Sequence, residues 1–246
     1  WSPYTAALME YSFDFDPNDL KTTAALQGNE YVLNGEKAFV SFAKDAEHIL
    51  VYANLEGQTQ GFIVSKESTG LMVSDEREKL MSLNALPLYR VHLADVRVPI
   101  AQRLGGPEGH DFEPILASLR VATAAAAVGV ANAAFEYSKD YAREREAFGV
   151  KIAQKQAIAF MLAEMRTEIE ASRLLTWEAA WKLDQGKEDA VTEAYLAATG
   201  AADMAMMVTD RAVQILGGHG YIREHPVEMW MRNGRGFATF TGLAIV

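Results

Sequence analysis

The sequence predicts an α+β fold, with an antiparallel β-barrel-like domain over residues 1–105 followed by an antiparallel helical bundle over residues 106–246. Three observations predict it. From Leu20 to about Val98, short apolar alternations are broken by turn formers, the texture of half-buried strands. After Gly105-Gly106-Pro107-Glu108-Gly109 the period becomes helical. The helical patterns are long and their connections short, which makes neighbours antiparallel.

In the first half, Asn34-Gly35 stands between two strand-like runs within residues 30–40, and this pair predicts a hairpin turn. His48 to Ala53, Gly61 to Val64, Tyr89 to Leu93 and Val96 to Val98 continue the strand pattern. In the second half, a helix starts near Asp111, carries Pro114 in its first turn and runs to about Arg145. A second runs from about Ile152 to Leu183, with Ile158, Met161, Leu162, Met165, Ile169, Leu174 and Leu175 at helical spacing, and stops at Gln185-Gly186. The third runs from about Glu188 to Leu216 and stops at Gly217-Gly218. Met204, Met206 and Met207 read as packing residues.

Composition limits the partners. Half of the 246 residues are hydrophobic, enough for a substantial core. Lys plus Arg is 23 against 33 for Asp plus Glu, a net charge of −10, and no basic run is interleaved with aromatics. Nucleic acid and anionic membranes are poor partners for such a chain. There is no cysteine, so disulfides, thiolate metal sites and thiol catalysis drop out, and no metal site is expected. The longest apolar stretch, Val121 to Phe135, contains Asn132 and falls short of the ~18 residues of a membrane span, so it reads as a buried helix. The chain opens on Trp1-Ser2-Pro3 with no signal-peptide pattern. A cytoplasmic location, or the mitochondrial matrix in a eukaryote, is expected.

Two segments invite chemistry. Arg143-Glu144-Arg145-Glu146-Ala147-Phe148-Gly149, followed by Gln156, joins the first two helices. On spacing alone it is a charged helix end with a glycine stop. The other is Ala212-Val213-Gln214-Ile215-Leu216-Gly217-Gly218-His219-Gly220-Tyr221, then Glu224-His225-Pro226-Val227-Glu228 and Met231-Arg232. Its glycines suit a helix cap, or a backbone that approaches a phosphate closely with an arginine nearby.

Together these segments resemble the acyl-CoA dehydrogenase family, whose C-terminal domain carries R-x-x-F-G, a later Gln, V-Q-I-x-G-G-x-G-Y, P-V-E and M-R. Asn34-Gly35-Glu36-Lys37 is similar to the family's NGxK segment and Val96-Arg97-Val98-Pro99 to its V-x-V-P exit from the β-domain. The resemblance covers nearly the whole chain and implies α,β-desaturation of an acyl-CoA thioester. In that reaction a carboxylate takes the α-proton and hydride leaves to FAD. It further implies that Arg145, Phe148, Gln156, Gln214, Gly217 and Gly218 grip the ADP half of an FAD bound mainly by a neighbouring subunit, that Ser41 contributes to the cofactor site, and that Arg120 lies near acyl-CoA. An electron-accepting flavoprotein is the implied redox partner.

The chain departs from the family on the flavin-ring side. The T-E-P-x-x-G-S-D loop is here Met9-Glu10-Tyr11-Ser12-Phe13-Asp14-Phe15-Asp16, so Met9 and Phe15 stand where hydroxyls belong. W-I-T becomes Phe39-Val40-Ser41, and the acidic residue three before the helix arginine is Ala117. The usual catalytic glutamate aligns with Thr241, and the alternative base position is Leu119. A threonine hydroxyl is far too weak an acid to serve as a general base near neutral pH. Glu113 lies about two turns before Arg120, and helix capping suits it better than recruitment as a base. The expected function is the base-lacking subunit of an FAD-dependent acyl-CoA dehydrogenase, completing a homologous partner's FAD site. The alternatives are a homomeric enzyme with an unconventional base and a non-enzymatic scaffold.

Overall fold

A computed structural model describes residues 4–239, which divide into two compact units: residues 4–80 with 84–115, and residues 81–83 with 116–239. The first unit holds seven strands: β1 (Tyr4–Ala7), β2 (Thr23–Gln27), β3 (Glu30–Ser41), β4 (His48–Leu55), β5 (Gln58–Ser65), β6 (Leu71–Val73) and β7 (Leu88–Pro99). They pair in the order β1-β4-β2-β3-β7-β6, with β5 also on β4. Alternation along β7 buries Leu88, Val91, Leu93, Val96 and Val98 and leaves most of the residues between them exposed. Val91, Leu93, Val96 and Val98 pack with Leu33, Val40, Ile49, Val51, Phe62 and Val64, and each fully buried aliphatic chain contributes about 1.5–3 kcal/mol.

Two strand expectations need correction. The sheet is mixed, because β1 runs parallel to β4 and Thr23 of β2 pairs in parallel with Asn54. Nor does Asn34-Gly35 make a turn. The β2–β3 hairpin turns at Gly28-Asn29, with Gly28 at φ 66° and Gln27 opposite Glu30. Asn34-Gly35 sits at a bulge inside β3, where the register against β7 shifts. Gly35 is needed for close approach: a Cβ there would lie 2.7 Å from Cα of Thr22. Asn34 holds the bulge by donating to Asp95 Oδ1 (3.1 Å) and accepting from the Asp95 backbone N–H (2.8 Å).

A charged pair lies inside this unit. Lys37 is fully buried and its Nζ donates to Glu10 Oε1 at 2.7 Å and to the Leu8 carbonyl at 3.1 Å. Glu10 also accepts from the backbone N–H groups of Lys21 (2.7 Å) and Thr22 (2.9 Å). Burial pulls the Lys37 ammonium down to about 8 against the raising pull of Glu10. Burial works to raise the Glu10 carboxyl, but the Lys37 charge and these hydrogen bonds outweigh it and hold it below its ordinary value.

The second unit is built on four helices. The first, α1 (Glu113–Glu144), leads through a small hairpin of β8 (Glu146–Ala147) and β9 (Val150–Lys151) to α2 (Gln156–Asp184). Then come α3 (Ala190–Leu216) and α4 (Val227–Thr239), the last unread in the sequence. The predicted start of α2 near Ile152 is a separate 3-10 turn, Ile152–Gln154. The core joins Val128, Ala131, Ala134 and Phe135 with Met165, Ile169, Met204, Val208, Ile215 and Val227. Ala124 and Ala127 of α1 meet Ala201 and Ala205 of α3, where small side chains permit close contact. By length and composition α1 would pass as a membrane-crossing helix, with mean hydropathy 1.6 over its most apolar window. The apolar stretch Val121 to Phe135, interrupted by Asn132, is by itself shorter than such a span. Its buried residues nevertheless belong to the bundle core.

The glycines after α3 differ in purpose. A Cβ at Gly220 would lie 2.5 Å from the Val213 carbonyl oxygen, whereas one at Gly218 would meet nothing within 4 Å. Gly220→Ala is therefore expected to lower stability by about 1–3 kcal/mol, and Gly218→Ala to leave it nearly unchanged, both read from urea midpoints. Equal midpoints for the two variants would refute this.

Candidate functional site

The α1–α2 connection gathers three of the expected residues. Arg145 follows the last turn of α1, its N–H donating to the Tyr141 carbonyl (2.9 Å) and its own carbonyl accepting from Ile152 (2.9 Å). Among the described residues its exposed guanidinium has no hydrogen-bond or acidic partner. Phe148 and Gly149 form the two-residue turn between β8 and β9, at φ 57° and 80°. This phenylalanine, 96% exposed and at positive φ, buries almost none of its ring in the fold. The Lys155 ammonium lies 5.8 Å from its ring centroid. Gln156 opens α2, whose N-terminus has no side-chain cap, so free N–H groups and the positive end of the helix dipole point outward.

The end of α3 supplies the rest. Gln214, Gly217 and Gly218 are all exposed, with Gly217 at φ 57° beyond the last helical residue. Sequence reasoning passed over the side chains that join these two groups. Tyr141 Oη lies 3.3 Å from His219 Nδ1, and Tyr137 Oη lies 2.8 Å from His225 Nδ1. Tyr137 and Tyr141 stand four apart on one helix face, a spacing that would have pointed to them. The result is a surface with an unpaired guanidinium, an uncapped helix start and an open glycine turn. It can take a phosphate-bearing ligand.

Arg120 lies 25 residues before Arg145, about 37 Å away along the helix, so the two do not share one pocket. Its guanidinium lies over the Tyr195 ring at 5.1 Å, and its buried Nε has no hydrogen-bond partner among the described residues. Arg120 is half-buried, and the ring face it packs on carries no counter-charge, which leaves its own charge available to an anionic ligand. Nearby, Ala117 is fully buried and Leu119 half-buried, and neither carries a titratable group. Glu113 accepts from Asn18 Nδ2 at 2.9 Å, while Asp111 accepts from the Glu113 N–H at 3.1 Å. Thr241 lies outside the described residues.

The ring-side positions named by the resemblance lie in the sheet unit. Ser41 is buried, and its hydroxyl sits 3.3 Å from Thr5 Oγ1, which donates to the Ser41 carbonyl at 2.6 Å. Met9 is buried as well. Tyr11 packs on Phe39 with centroids 5.2 Å apart, and the Arg90 guanidinium lies 4.3 Å from the Tyr11 centroid. Among the described residues no cluster of three or more His, Asp or Glu is placed to hold a metal.

Comparison with known proteins identifies the family of the two units. The profile of the acyl-CoA dehydrogenase middle domain matches residues 6–96, and that of the C-terminal domain matches residues 112–244. Cyclohex-1-ene-1-carbonyl-CoA dehydrogenase of Geobacter metallireducens is 38% identical over 231 residues, 91% of this chain and 60% of that protein. The caffeyl-CoA reductase-Etf complex subunit CarC of Acetobacterium woodii is 36% identical over 248 residues, 98% of this chain and 65% of that protein. The butyryl-CoA dehydrogenase structure from Megasphaera elsdenii superposes with a TM-score of 0.86 at 31% identity, covering 97% of this chain and 64% of that one. The chain thus spans about three fifths of the length of these relatives. With both domain profiles matched in order, and a sheet unit and helical unit of the matching kind, the chain belongs to the acyl-CoA dehydrogenase family of oxidoreductases.

Proposed function

We propose that this chain is the base-lacking subunit of an FAD-dependent acyl-CoA dehydrogenase, and that it completes the FAD site of a homologous partner. One observation carries the reading: the two sets of cofactor residues have fared differently. Arg145, Phe148, Gln156, Gln214, Gly217 and Gly218 are all solvent-facing, and the arginine is uncommitted, as a surface offered to another subunit's dinucleotide requires. On the ring side Ser41 is engaged by Thr5, Met9 is buried and Tyr11 packs tilted against Phe39, so a flavin ring finds few free hydrogen-bonding groups. The residues fit the phosphate half of FAD and not its ring.

Bound FAD would supply the hydride acceptor, and this chain's part is to hold the ADP half. Arg120, with an uncommitted charge, would bind the acyl-CoA. Assembly is supported by α2, which leaves Phe160, Leu174, Trp177 and Trp181 more than half exposed. An electron-transferring flavoprotein is the proposed redox partner, in keeping with the Etf complex of the Acetobacterium woodii relative.

The test is to purify the untagged complex from its source, identify the chains and measure bound flavin. About one FAD per two chains supports the reading, one per chain indicates a homomeric enzyme, and none indicates a scaffold. A second expectation is that this chain alone shows no acyl-CoA dehydrogenase turnover, because neither Thr241 nor Leu119 can take the α-proton. Thr241→Glu should restore little, since Met9, Phe15 and Phe39 still stand on the ring side. Robust turnover by the homogeneous chain would refute it.

A further inference from the structure

The seam between α1 and α3 sets two side chains against each other that nothing in the sequence connects. Ala124 and Ala127 of α1 meet Ala201 and Ala205 of α3, so the helices approach closely there. Arg120 stands four residues before Ala124, and Tyr195 six before Ala201. The close approach carries over to them, and the Arg120 guanidinium lies over the Tyr195 ring, 5.1 Å from its centroid. Arg120 has little else to hold it. Its buried Nε has no hydrogen-bond partner among the described residues. The positions three and four residues away on α1, where an ion-pair partner would stand, are Leu116, Ala117, Thr123 and Ala124, and none is acidic. Glu193 is close to Tyr195 along α3, but it accepts from Lys182 Nζ at 3.0 Å. Tyr195 itself is 52% exposed while Ala194 and Ala197 beside it are buried, so the alanines and not its ring fill the core here.

We propose that Tyr195 is a positioning residue for acyl-CoA binding: its ring holds the Arg120 guanidinium in place so that the charge meets the anionic part of the ligand. A ring face attracts a cation without neutralising it, whereas a carboxylate in the same place would compete with the incoming anion. An arginine side chain loses rotamer freedom when it closes on a ligand, and a ring already packed under the guanidinium carries part of that ordering in advance. The contact is made by the ring face and not by the phenol hydroxyl, so phenylalanine can replace tyrosine and an aliphatic side chain of similar bulk cannot.

Tyr195 can act in this way only if Arg120 binds acyl-CoA as proposed above, and the experiment separates the two. The probe is acetyl-CoA, which has no β-carbon and cannot be desaturated. Its affinity is measured by calorimetry on the full chain in complex with the partner it purifies with. The partner is the same in every variant, so differences between variants belong to this chain. Tyr195→Ala is expected to bind roughly two- to fivefold more weakly than the wild type, the worth of one exposed contact between a cation and a ring. Tyr195→Leu, which keeps bulk without a π-face, should match it, and Tyr195→Phe should bind as the wild type does. Arg120→Ala should weaken binding roughly ten- to a hundredfold. Adding Tyr195→Ala to Arg120→Ala should cost nothing further, because the ring acts only through the guanidinium. Wild-type affinity in Tyr195→Ala or Tyr195→Leu, weakened binding in Tyr195→Phe, or a further loss on the Arg120→Ala background overturns the inference. If Arg120→Ala weakens binding and the tyrosine variants do not, the assignment of Arg120 stands and only the role of Tyr195 fails. If Arg120→Ala binds as the wild type does, that assignment falls and takes the inference with it.

Discussion

Glu10→Ala is expected to destabilise the sheet unit by about 3–5 kcal/mol, because it leaves the Lys37 ammonium buried without its counter-charge. In a chain of this length that corresponds to a fall in midpoint temperature of roughly 10 °C. The variant also orphans the backbone N–H groups of Lys21 and Thr22, which Glu10 accepts at 2.7 and 2.9 Å. Glu10→Gln should cost less, since an amide oxygen still accepts one of these bonds. The pH dependence has a definite sign. The Glu10 carboxyl titrates lower in the fold than its ordinary value of 4.5, so its contribution is complete above that value and is lost as pH falls through the folded value. Scanning calorimetry across the acid limb checks this: Glu10→Gln should show a shallower loss than the wild type below about pH 4.5. An unchanged melting temperature in Glu10→Ala would show that the pair is dispensable.

Arg145→Ala is expected to weaken FAD retention by the complex roughly ten- to a hundredfold, the loss of a charge-assisted contact worth about 1.5–3 kcal/mol. Stability should hardly change, because the guanidinium has no partner among the described residues whose loss the fold would feel. Tyr11→Ala is the contrasting variant. Tyr11 is half exposed and packs on Phe39 and Arg90, so truncating it alters the ring-side surface without opening a buried cavity. Bound FAD per complex, measured after dialysis, should fall with Arg145→Ala and stay level with Tyr11→Ala. Loss confined to Tyr11→Ala would mean that this chain holds a flavin ring of its own, and the asymmetric assignment would be wrong.

The difference between these variants follows from which parts of the molecule are local. The three long helices, their glycine stops and the strand texture before residue 105 are short-range patterns, set by periodicity and by residues that end a helix within one turn. The proposed cradle residues were legible only through the family resemblance, since spacing alone reads the same segments as a charged helix end and a glycine cap. Helix α4 was missed because its thirteen residues include Gly234 and Gly236, which dilute the helical signal.

What the sequence by itself determined, then, was the kind of fold, the order of its two units and the absence of a carboxylate at Thr241 and Leu119. Tertiary structure alone decided the partners that lie far apart along the chain. It moved the hairpin from Asn34-Gly35 to Gly28-Asn29, because Thr22 crowds Gly35 and Asp95 grips Asn34 from 61 residues away. It set Lys37 against Glu10 across 27 residues, turned the Ser41 hydroxyl onto Thr5 across 36, and joined Tyr141 to His219 across 78. Nothing in local spacing encodes such pairs, because they form only when packing has closed the intervening loops and left each buried polar group a single place to find a partner.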